Sequence, residues 1–325
     1  MMHQAVARDL LCEESFGSTP GKMAVSALVQ KQLSIDQLRL ERRAGGIFDC
    51  DASGCYDRVI PPLASVHLQA LGLQQSIGTF LARLMFFAKR HVKTRHRISR
   101  QNISTTRKQV LHGIGQGNGG GPAIWISHLT VMFHALSSVC FGFIMHCMEQ
   151  LSSITTVGIG YVDDVTLGNL LSAEQPQTES RVHRQIQRMS QLWEQLLYIT
   201  GGRLELSKCF WIPITWRWQQ GRPRMVTKNK RGKDLYLRES ETKELIMIPR
   251  KLGSEAVKRL GVYHTCDGNW THEFRQWTDF STVFGKKLLQ SQVDRLAGYL
   301  AYRTMPYGSQ NFVILPQLLD LQDTT

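Results

Sequence analysis

The chain has 325 residues, of which 42% are hydrophobic and 20% are charged, and this composition excludes a disordered or collagen-like protein. Its 39 Lys and Arg against 26 Asp and Glu give a net charge of +13, which favours an acidic partner such as nucleic acid. Seven cysteines without a CxxC pair argue against a zinc ribbon or a disulfide scaffold and favour an intracellular, reducing compartment, nucleus or cytoplasm. Residues 1–17 carry three acids and no long apolar run, so no secretory signal is expected.

The first half of the chain mixes predicted helices and strands. Thr19-Pro20 resembles a helix N-cap and predicts a helix over about 20–40, which Gly45-Gly46 ends. Residues 47–50 then predict a buried strand that runs into Asp51. Two further helices are expected, followed by a basic two-stranded ribbon and an apolar helix without Asp, Glu, Lys or Arg, which we interpret as buried rather than membrane-spanning. The approximate ranges of these four elements are 61–72, 74–89, 90–111 and 123–148.

The second half begins with a predicted hairpin over 157–168, with Asp163-Asp164 at its tip. Apolar residues at helical spacing predict a helix over about 182–197, ended by Gly201-Gly202, and 204–214 is a strand candidate. Because strands and helices mix without a strict βαβ rhythm, the predicted fold class is α+β.

The positive charge is concentrated in one segment, since no Asp or Glu occurs from Arg58 to Met148. Such a segment is either a solvated loop or a contact surface for phosphates, and the absence of interleaved carboxylates favours the phosphates. The cations that we expect to bind nucleic acid are Lys89, Arg90, Lys93, Arg95, Arg97 and Arg100.

Three aspartates form the candidate catalytic set. Adjacent acids such as Asp163 and Asp164 are costly at a hairpin tip unless a cation lies there, although an exposed turn is the alternative for this pair alone. Asp51, at the end of a neighbouring strand, would complete a site for two divalent ions that clamp the oxygens of a phosphoryl transfer. Oxygen ligands favour Mg²⁺, with Mn²⁺ as an alternative.

Five motifs follow one another along the chain: FDCDASGCYDR (48–58), GIGQGNGGGP (113–122), GYVDDVTL (160–167), GGRLELSKC (201–209) and KRLGV (258–262). In order and approximate spacing they resemble the motifs of the reverse transcriptases of retroelements. The upstream segment FGSTPGKMAVSAL (16–28) looks like the fingers helix of these enzymes. The resemblance covers most of the chain from about residue 16 onward.

The resemblance implies a role for each matching position. Asp51, Asp163 and Asp164 would bind two metal ions, and Lys208 would lie near the triphosphate, although a surface lysine is the alternative. Tyr56 would exclude a 2′-OH and so select dNTPs, unless it is an ordinary core tyrosine. Gln116 and Gly117 would line the nucleotide pocket. Leu260 and Gly261 would contact the primer end.

The implied architecture is a right-hand polymerase, with a palm built from an antiparallel sheet with helices on one face, fingers and a helical thumb. Its ranges are 1–45 and 61–112 for fingers, 46–60 and 113–262 for palm, and 263–325 for thumb. Template-directed DNA synthesis on a primer with RNA or DNA as template is expected, with no membrane partner. Because the upstream fingers strands are not recognised, we expect a truncated copy or a fragment with little activity. A catalytically silent nucleic-acid-binding relic and an RNA-dependent RNA polymerase are the alternatives.

Overall fold

The computed structural model describes residues 2–106, 110–115, 119–147, 152–227, 232–291 and 296–297. These ranges contain seven α-helices and fourteen strands, which mix along the chain as expected of an α+β protein. The helices are α1 (Met2–Ala7), α2 (Ala24–Glu41), α3 (Pro61–Ala70), α4 (Gln75–Phe86), α5 (Gly121–Ser137), α6 (Glu179–Ile199) and α7 (Thr271–Gln290). The strands are β1 (Gly45–Asp51), β2 (Arg90–Lys93), β3 (Ile98–Ile103), β4 (Phe143–Cys147), β5 (Ser152–Thr156), β6 (Gly158–Tyr161), β7 (Asp164–Leu170), β8 (Phe210–Ile214), β9 (Trp216–Gln219), β10 (Arg222–Met225), β11 (Leu235–Arg238), β12 (Leu245–Ile248), β13 (Val257–Arg259) and β14 (Val262–His264).

A four-stranded antiparallel sheet with the order β6-β7-β1-β8 lies at the centre of the molecule. Strand β1 lies between β7 and β8 and is buried along its whole length. Because successive side chains of a strand point to opposite faces, a strand buried throughout must be covered on both sides.

Helices cover both faces of this sheet. A side chain at Gly46 would collide with Val182 and Ile186 of α6, whereas one at Gly45 would collide with Leu38 of α2. Helix α5 packs with α6 on the first face, and α2 lies on the second. Helices α5 and α6, which lie in the range predicted for the palm, therefore share one face, whereas α2, in the range predicted for the fingers, buries an apolar stripe that includes Ile35 and Leu38 against the other.

The predicted elements are present, but several boundaries differ. The apolar helix expected to reach residue 148 ends at Ser137, and Phe143–Cys147 is strand β4, paired with β5. Helix α2 begins at Ala24 rather than near Pro20, because Gly21 has a φ of +81°, which a helix cannot continue. The strand candidate at 204–214 begins with a short 3-10 turn, Leu206–Lys208, before β8.

The predicted basic ribbon is confirmed as the hairpin of β2 and β3, which pair with each other and with no further strand among the described residues. The region expected to be the thumb contains α7, while 292–295 and 298–325 lie outside the described residues. None of the helices in the described ranges combines the length and the apolar character needed to cross a membrane.

Candidate active site

The register of the central sheet brings the three acids together at one edge. Asp51 ends β1 and lies directly opposite Asp164, which begins β7. The backbone N–H of Ala52 donates a hydrogen bond to the carbonyl of Asp163 over 2.9 Å, which ties the residue after Asp51 to the hairpin. The three acids, far apart in sequence, are therefore neighbours because of one antiparallel pairing.

The hairpin between β6 and β7 has a strained tip. Tyr161 pairs with Asp164, so Val162 and Asp163 form a two-residue turn, and the tip lies one residue earlier than predicted. Val162 has a φ of +58°, the left-handed region that a β-branched residue rarely adopts. The indole Nε1 of Trp125 in α5 donates a hydrogen bond to the Val162 carbonyl over 2.6 Å, and this contact holds the turn in place.

Residues 203–205 pair through backbone hydrogen bonds with the residues at the end of β1, and this pairing places Lys208 beside the acids. The N–H of Ser53 donates to the carbonyl of Arg203, and the N–H of Glu205 donates to the carbonyl of Asp51, each over 2.8 Å. The following 3-10 turn ends at Lys208, whose Nζ lies 2.6 Å from Oδ2 of Asp51. This contact raises the pKa of Lys208, so the lysine carries its charge at the site.

Arg259 is a site residue that sequence reasoning did not identify. It ends β13, and its Nη1 lies 2.8 Å from Oδ1 of Asp164. Its Nε lies 3.8 Å from Oδ1 of Asp49, and its guanidinium carbon is 5.1 Å from the centre of the Phe210 ring. Although burial opposes the charge, Asp49 and Asp164 raise the pKa of Arg259.

A buried ion pair lies behind Arg259. Lys31 of α2 donates from Nζ to both carboxylate oxygens of Asp49, over 2.8 and 3.0 Å, and the Thr166 hydroxyl also donates to this carboxylate. Burial alone would raise the pKa of Asp49, but Lys31 and Arg259 outweigh it and lower the pKa to about 2. Both residues of the pair could have been found in the sequence, since Lys31 lies on the apolar stripe of α2 and Asp49 lies inside an apolar strand.

At the edge of the sheet the environment raises the pKa of two acids, whereas it lowers the pKa of Asp49. Burial raises the pKa of Asp163, and the neighbouring charge of Asp51 adds to this shift. Burial also raises the pKa of Asp164, by more than Arg259 lowers it. Crowded, partly buried carboxylates of this kind are stabilised by an additional positive charge.

Tyr56 lies between the acids and α5. Its ring meets the Trp125 ring edge-on, with ring centres 6.3 Å apart, and a side chain at Gly121 would begin 3.4 Å from it. Burial raises the pKa of Tyr56, and the charges of Cys55 and Asp163 add to the effect. The ring is half-buried, so one side packs on α5 while the other remains accessible.

The turn between β13 and β14 lies beside the same edge. Leu260 and Gly261 have φ values of +47° and +88°, the pattern of a type I′ hairpin turn. Leu260 borders a small pocket together with Tyr161, Asp164 and Arg259, which brings the tip of this hairpin close to the acids.

The remaining predicted residues lie elsewhere. In the β2–β3 ribbon Lys89, Lys93, Arg95, Arg97 and Arg100 are exposed, and they are not in contact with the acids. Arg90 is half-buried, and its guanidinium donates to the carbonyls of His112 and Gly113, so it anchors the ribbon to the loop before α5. Gln116 and Gly117 lie outside the described residues.

Comparison with known proteins gives matches among solved structures only, since no protein-family model and no curated protein matches the chain. Telomerase from Candida tropicalis, in complex with a TWJ fragment of telomeric RNA, aligns with 99% of this chain at 11% identity and a TM-score of 0.46. An apo telomerase from the same organism, truncated from its C-terminal domain, aligns with 76% at 10% identity, and telomerase from Candida albicans with a TWJ fragment of telomeric RNA aligns with 75% at 14%, both with TM-scores of 0.41. The chain spans less than half the length of each, at 47%, 43% and 37%.

The donor set at the edge of the sheet fits a divalent ion in its chemistry. Carboxylate oxygens are the ligands that Mg²⁺ and Mn²⁺ prefer, and burial, with a smaller contribution from the neighbouring carboxylates, raises the pKa values of Asp163 and Asp164, which a cation would offset. Within the described part of the chain, however, no three His, Cys, Asp or Glu side chains are arranged to hold a metal ion. Two of the three acids are instead paired with cations of the chain itself, Asp51 with Lys208 and Asp164 with Arg259.

Proposed function

We propose that this chain is the polymerase part of a retroelement-type reverse transcriptase, with fingers, palm and thumb in the ranges that its motifs imply. The observation that carries the proposal is the antiparallel register in which Asp51 lies opposite Asp164, next to Asp163. The reaction is the transfer of a nucleotide from a dNTP to a primer 3′-OH, directed by an RNA or DNA template.

Each nearby side chain has a part in this proposal. Asp51 and Asp163, with Asp164 completing the set, would hold Mg²⁺ or Mn²⁺, which when bound offsets the charge that develops on the reacting phosphate oxygens. The primer 3′-OH gives its proton to water, its oxygen forms a bond to the α-phosphorus, and the bond from that phosphorus to the pyrophosphate oxygen breaks. Lys208 lies on the same edge and would donate a proton to the departing pyrophosphate.

Two further contacts orient the substrates. Tyr56 would lie against the sugar and leave no room for a 2′-OH, while the exposed cations of the β2–β3 ribbon would follow the template backbone. The Leu260–Gly261 turn, next to Asp164, would contact the primer end.

Primer extension tests the proposal. The full chain is incubated with a primed RNA or DNA template, Mg²⁺ and dNTPs, beside an Asp163→Asn variant and an Asp57→Asn control. Asp57 is an exposed acid close to Tyr56 that has no part in the proposed site. Because the sequence predicts little activity, we expect only weak extension by the wild type, none above background in Asp163→Asn, and a change of less than about twofold in the control. Equal rates in all three chains would contradict the proposed site.

A second candidate function is supported by the internal cations. Because Lys208 and Arg259 already pair with Asp51 and Asp164, a chain that binds nucleic acid without catalysis is compatible with this arrangement. Binding of a primed template without extension, in Mg²⁺ and in Mn²⁺, would favour that function. Extension with NTPs in preference to dNTPs would instead favour an RNA polymerase and contradict the role given to Tyr56.

A further inference from the structure

The two cationic side chains that contact the acids, those of Lys208 and Arg259, differ in how tightly the protein holds them. The Lys208 side chain is 64% exposed and reaches Asp51 from solvent. Exposed pairs of this kind contribute little free energy, and the lysine can move away when another cation approaches. The Arg259 side chain is 11% exposed and lies inside the protein.

Arg259 is fixed by partners from several elements. Besides Asp164 of β7, it approaches Asp49 of β1 and packs over the Phe210 ring of β8. Its Nη2 also donates a hydrogen bond to the carbonyl of Lys208 over 3.4 Å. Because these partners come from three strands and from the backbone at Lys208, the fold as a whole, and not the salt bridge alone, holds the guanidinium next to Asp164.

We propose that Arg259 is a built-in counter-cation that positions Asp164 and limits its use as a metal ligand, so that a divalent ion is held mainly by Asp51 and Asp163. This inference rests on the proposed function only in taking the three acids as the site of a divalent ion. Asp51 and Asp163 are then available to the ion, Asp51 once Lys208 has moved away, whereas Asp164 is occupied by Arg259.

The direction of the effect follows from electrostatics. A fixed positive charge next to Asp164 repels a divalent ion at the neighbouring carboxylates and occupies one of its possible ligand atoms. Replacing Arg259 with glutamine removes both effects while Lys31 still neutralises Asp49. If Arg259 had only a structural role, replacing it would weaken the binding of the divalent ion. If Arg259 is a counter-cation, replacing it tightens that binding.

The test is a double-mutant cycle on the full chain, with Mn²⁺ as the probe and the electron paramagnetic resonance signal of free Mn²⁺ as the readout. We expect Arg259→Gln to tighten Mn²⁺ binding by about tenfold, whereas Asp164→Asn, which leaves the Arg259 charge without its carboxylate, should weaken it by less than about tenfold. The double variant should lose the gain, since the freed ligand is then absent. Arg259→Lys, which keeps the charge, should stay within about threefold of the wild type, and Asp163→Asn should weaken binding by at least about tenfold.

Arg250→Gln is the matched control. Arg250 is equally buried and pairs with Glu179 of α6 over 2.8 Å, on the opposite face of the sheet. The Arg250→Gln variant should leave the Mn²⁺ affinity unchanged. Thermal unfolding of every variant identifies any that fails to fold. If Arg259→Gln fails to fold, the comparison is made with Arg259→Lys and Asp164→Asn instead.

Several outcomes would overturn the inference. They are unchanged or weaker Mn²⁺ binding in Arg259→Gln, a loss in Asp164→Asn as large as that in Asp163→Asn, or no Mn²⁺ binding by the wild type and Arg259→Gln alike. The first two leave the proposed function untouched, and the third is separated from it by the primer-extension experiment, because a chain that extends primers must hold a divalent ion. A wild type that extends primers while Arg259→Gln binds Mn²⁺ no more tightly would refute the counter-cation and leave the polymerase in place.

Discussion

The Tyr56 ring packs against α5, and its backbone carbonyl accepts a hydrogen bond from the N–H of Ile114. The edge-on contact with Trp125 places the ring against α5, and the same Trp125 donates a hydrogen bond to the Val162 carbonyl of the acidic hairpin. A single tryptophan therefore sets the distance between the aromatic ring and the acids. We expect a ring held in this way to exclude a sugar hydroxyl by its bulk.

This rigidity gives a prediction for sugar selectivity. Tyr56→Ala should raise the incorporation of ribonucleotides relative to deoxynucleotides by roughly tenfold or more, since the space for a 2′-OH is opened while the acids remain. The ratio of kcat/KM for an NTP and its dNTP measures the effect. Tyr56→Phe is the matched control, because it keeps the ring and removes only the hydroxyl, and its ratio should equal that of the wild type. A ratio unchanged in the alanine variant would exclude Tyr56 from this role.

Lys31 and Asp49 could have been predicted from the sequence as a buried charged pair, whereas Arg259 could not. Lys31 shares the buried stripe of α2 with Leu28, Ile35 and Leu38, and Asp49 interrupts a buried strand, so each violates its element's apolar pattern. Such violations predict a buried ion pair. Arg259 gave no such signal, because it lies in a short strand and its partners come from distant parts of the chain.

At the scale of elements, local signals predicted β1, the β6–β7 hairpin, α3, α4 and α6 well, since glycine pairs, prolines and periodicity mark their ends. They failed where an apolar run continued through a change of structure. Residues 123–148 have no charge to mark the end of α5, and the fold turns after Ser137 because β4 must pair with β5. The position of α2 on the second face of the sheet depends on tertiary packing and was not visible locally.

The β2–β3 ribbon is the element whose function depends most simply on charge. Its exposed cations are free to meet phosphates, whereas Arg90 is engaged with the loop before α5. Arg95→Ala with Arg97→Ala should weaken the binding of all nucleic-acid sequences and reduce the slope of log K against log salt by about 1.5 units. Fluorescence anisotropy of a labelled oligonucleotide across a salt series measures that slope.

Arg184→Ala with Arg188→Ala provides the matched control for the ribbon. Both residues are exposed on α6, and their removal changes the net charge by the same amount. If the ribbon contacts the phosphates, this control should keep the slope of the wild type. An equal reduction in both variants would mean that the overall charge of +13, and not the ribbon, governs binding.

For the whole molecule, the buried charges connect parts that are far apart in the chain. Lys31 of α2, Asp49 of β1, Thr166 of β7 and Arg259 of β13 meet behind the acidic edge of the sheet. Removing the Asp49 carboxylate leaves the buried Lys31 charge without its partner, and Asp49→Asn should lower the free energy of unfolding by about 3–5 kcal/mol. Lys31→Met with Asp49→Asn should recover a large part of this loss, because both charges are then absent.

The same pair predicts how stability depends on pH. The pKa of Asp49 is about 2 in the folded chain, below its ordinary value of 3.8, so the folded state keeps the carboxylate ionised after the unfolded chain has bound a proton. Its contribution is complete above about pH 4 and is lost as the pH falls through about 2, which amounts to about 2 kcal/mol. Denaturant unfolding of the wild type and the double variant at several pH values measures this term, since the other carboxylates are common to both. The buried His264, whose pKa burial lowers to about 3, is influenced in opposite directions by Lys31 and Asp49, and both of these charges are absent in the double variant. The difference between their free energies of unfolding should shrink by about 2 kcal/mol between pH 4 and pH 2, and parallel curves would show that Asp49 is not held ionised by Lys31 and Arg259.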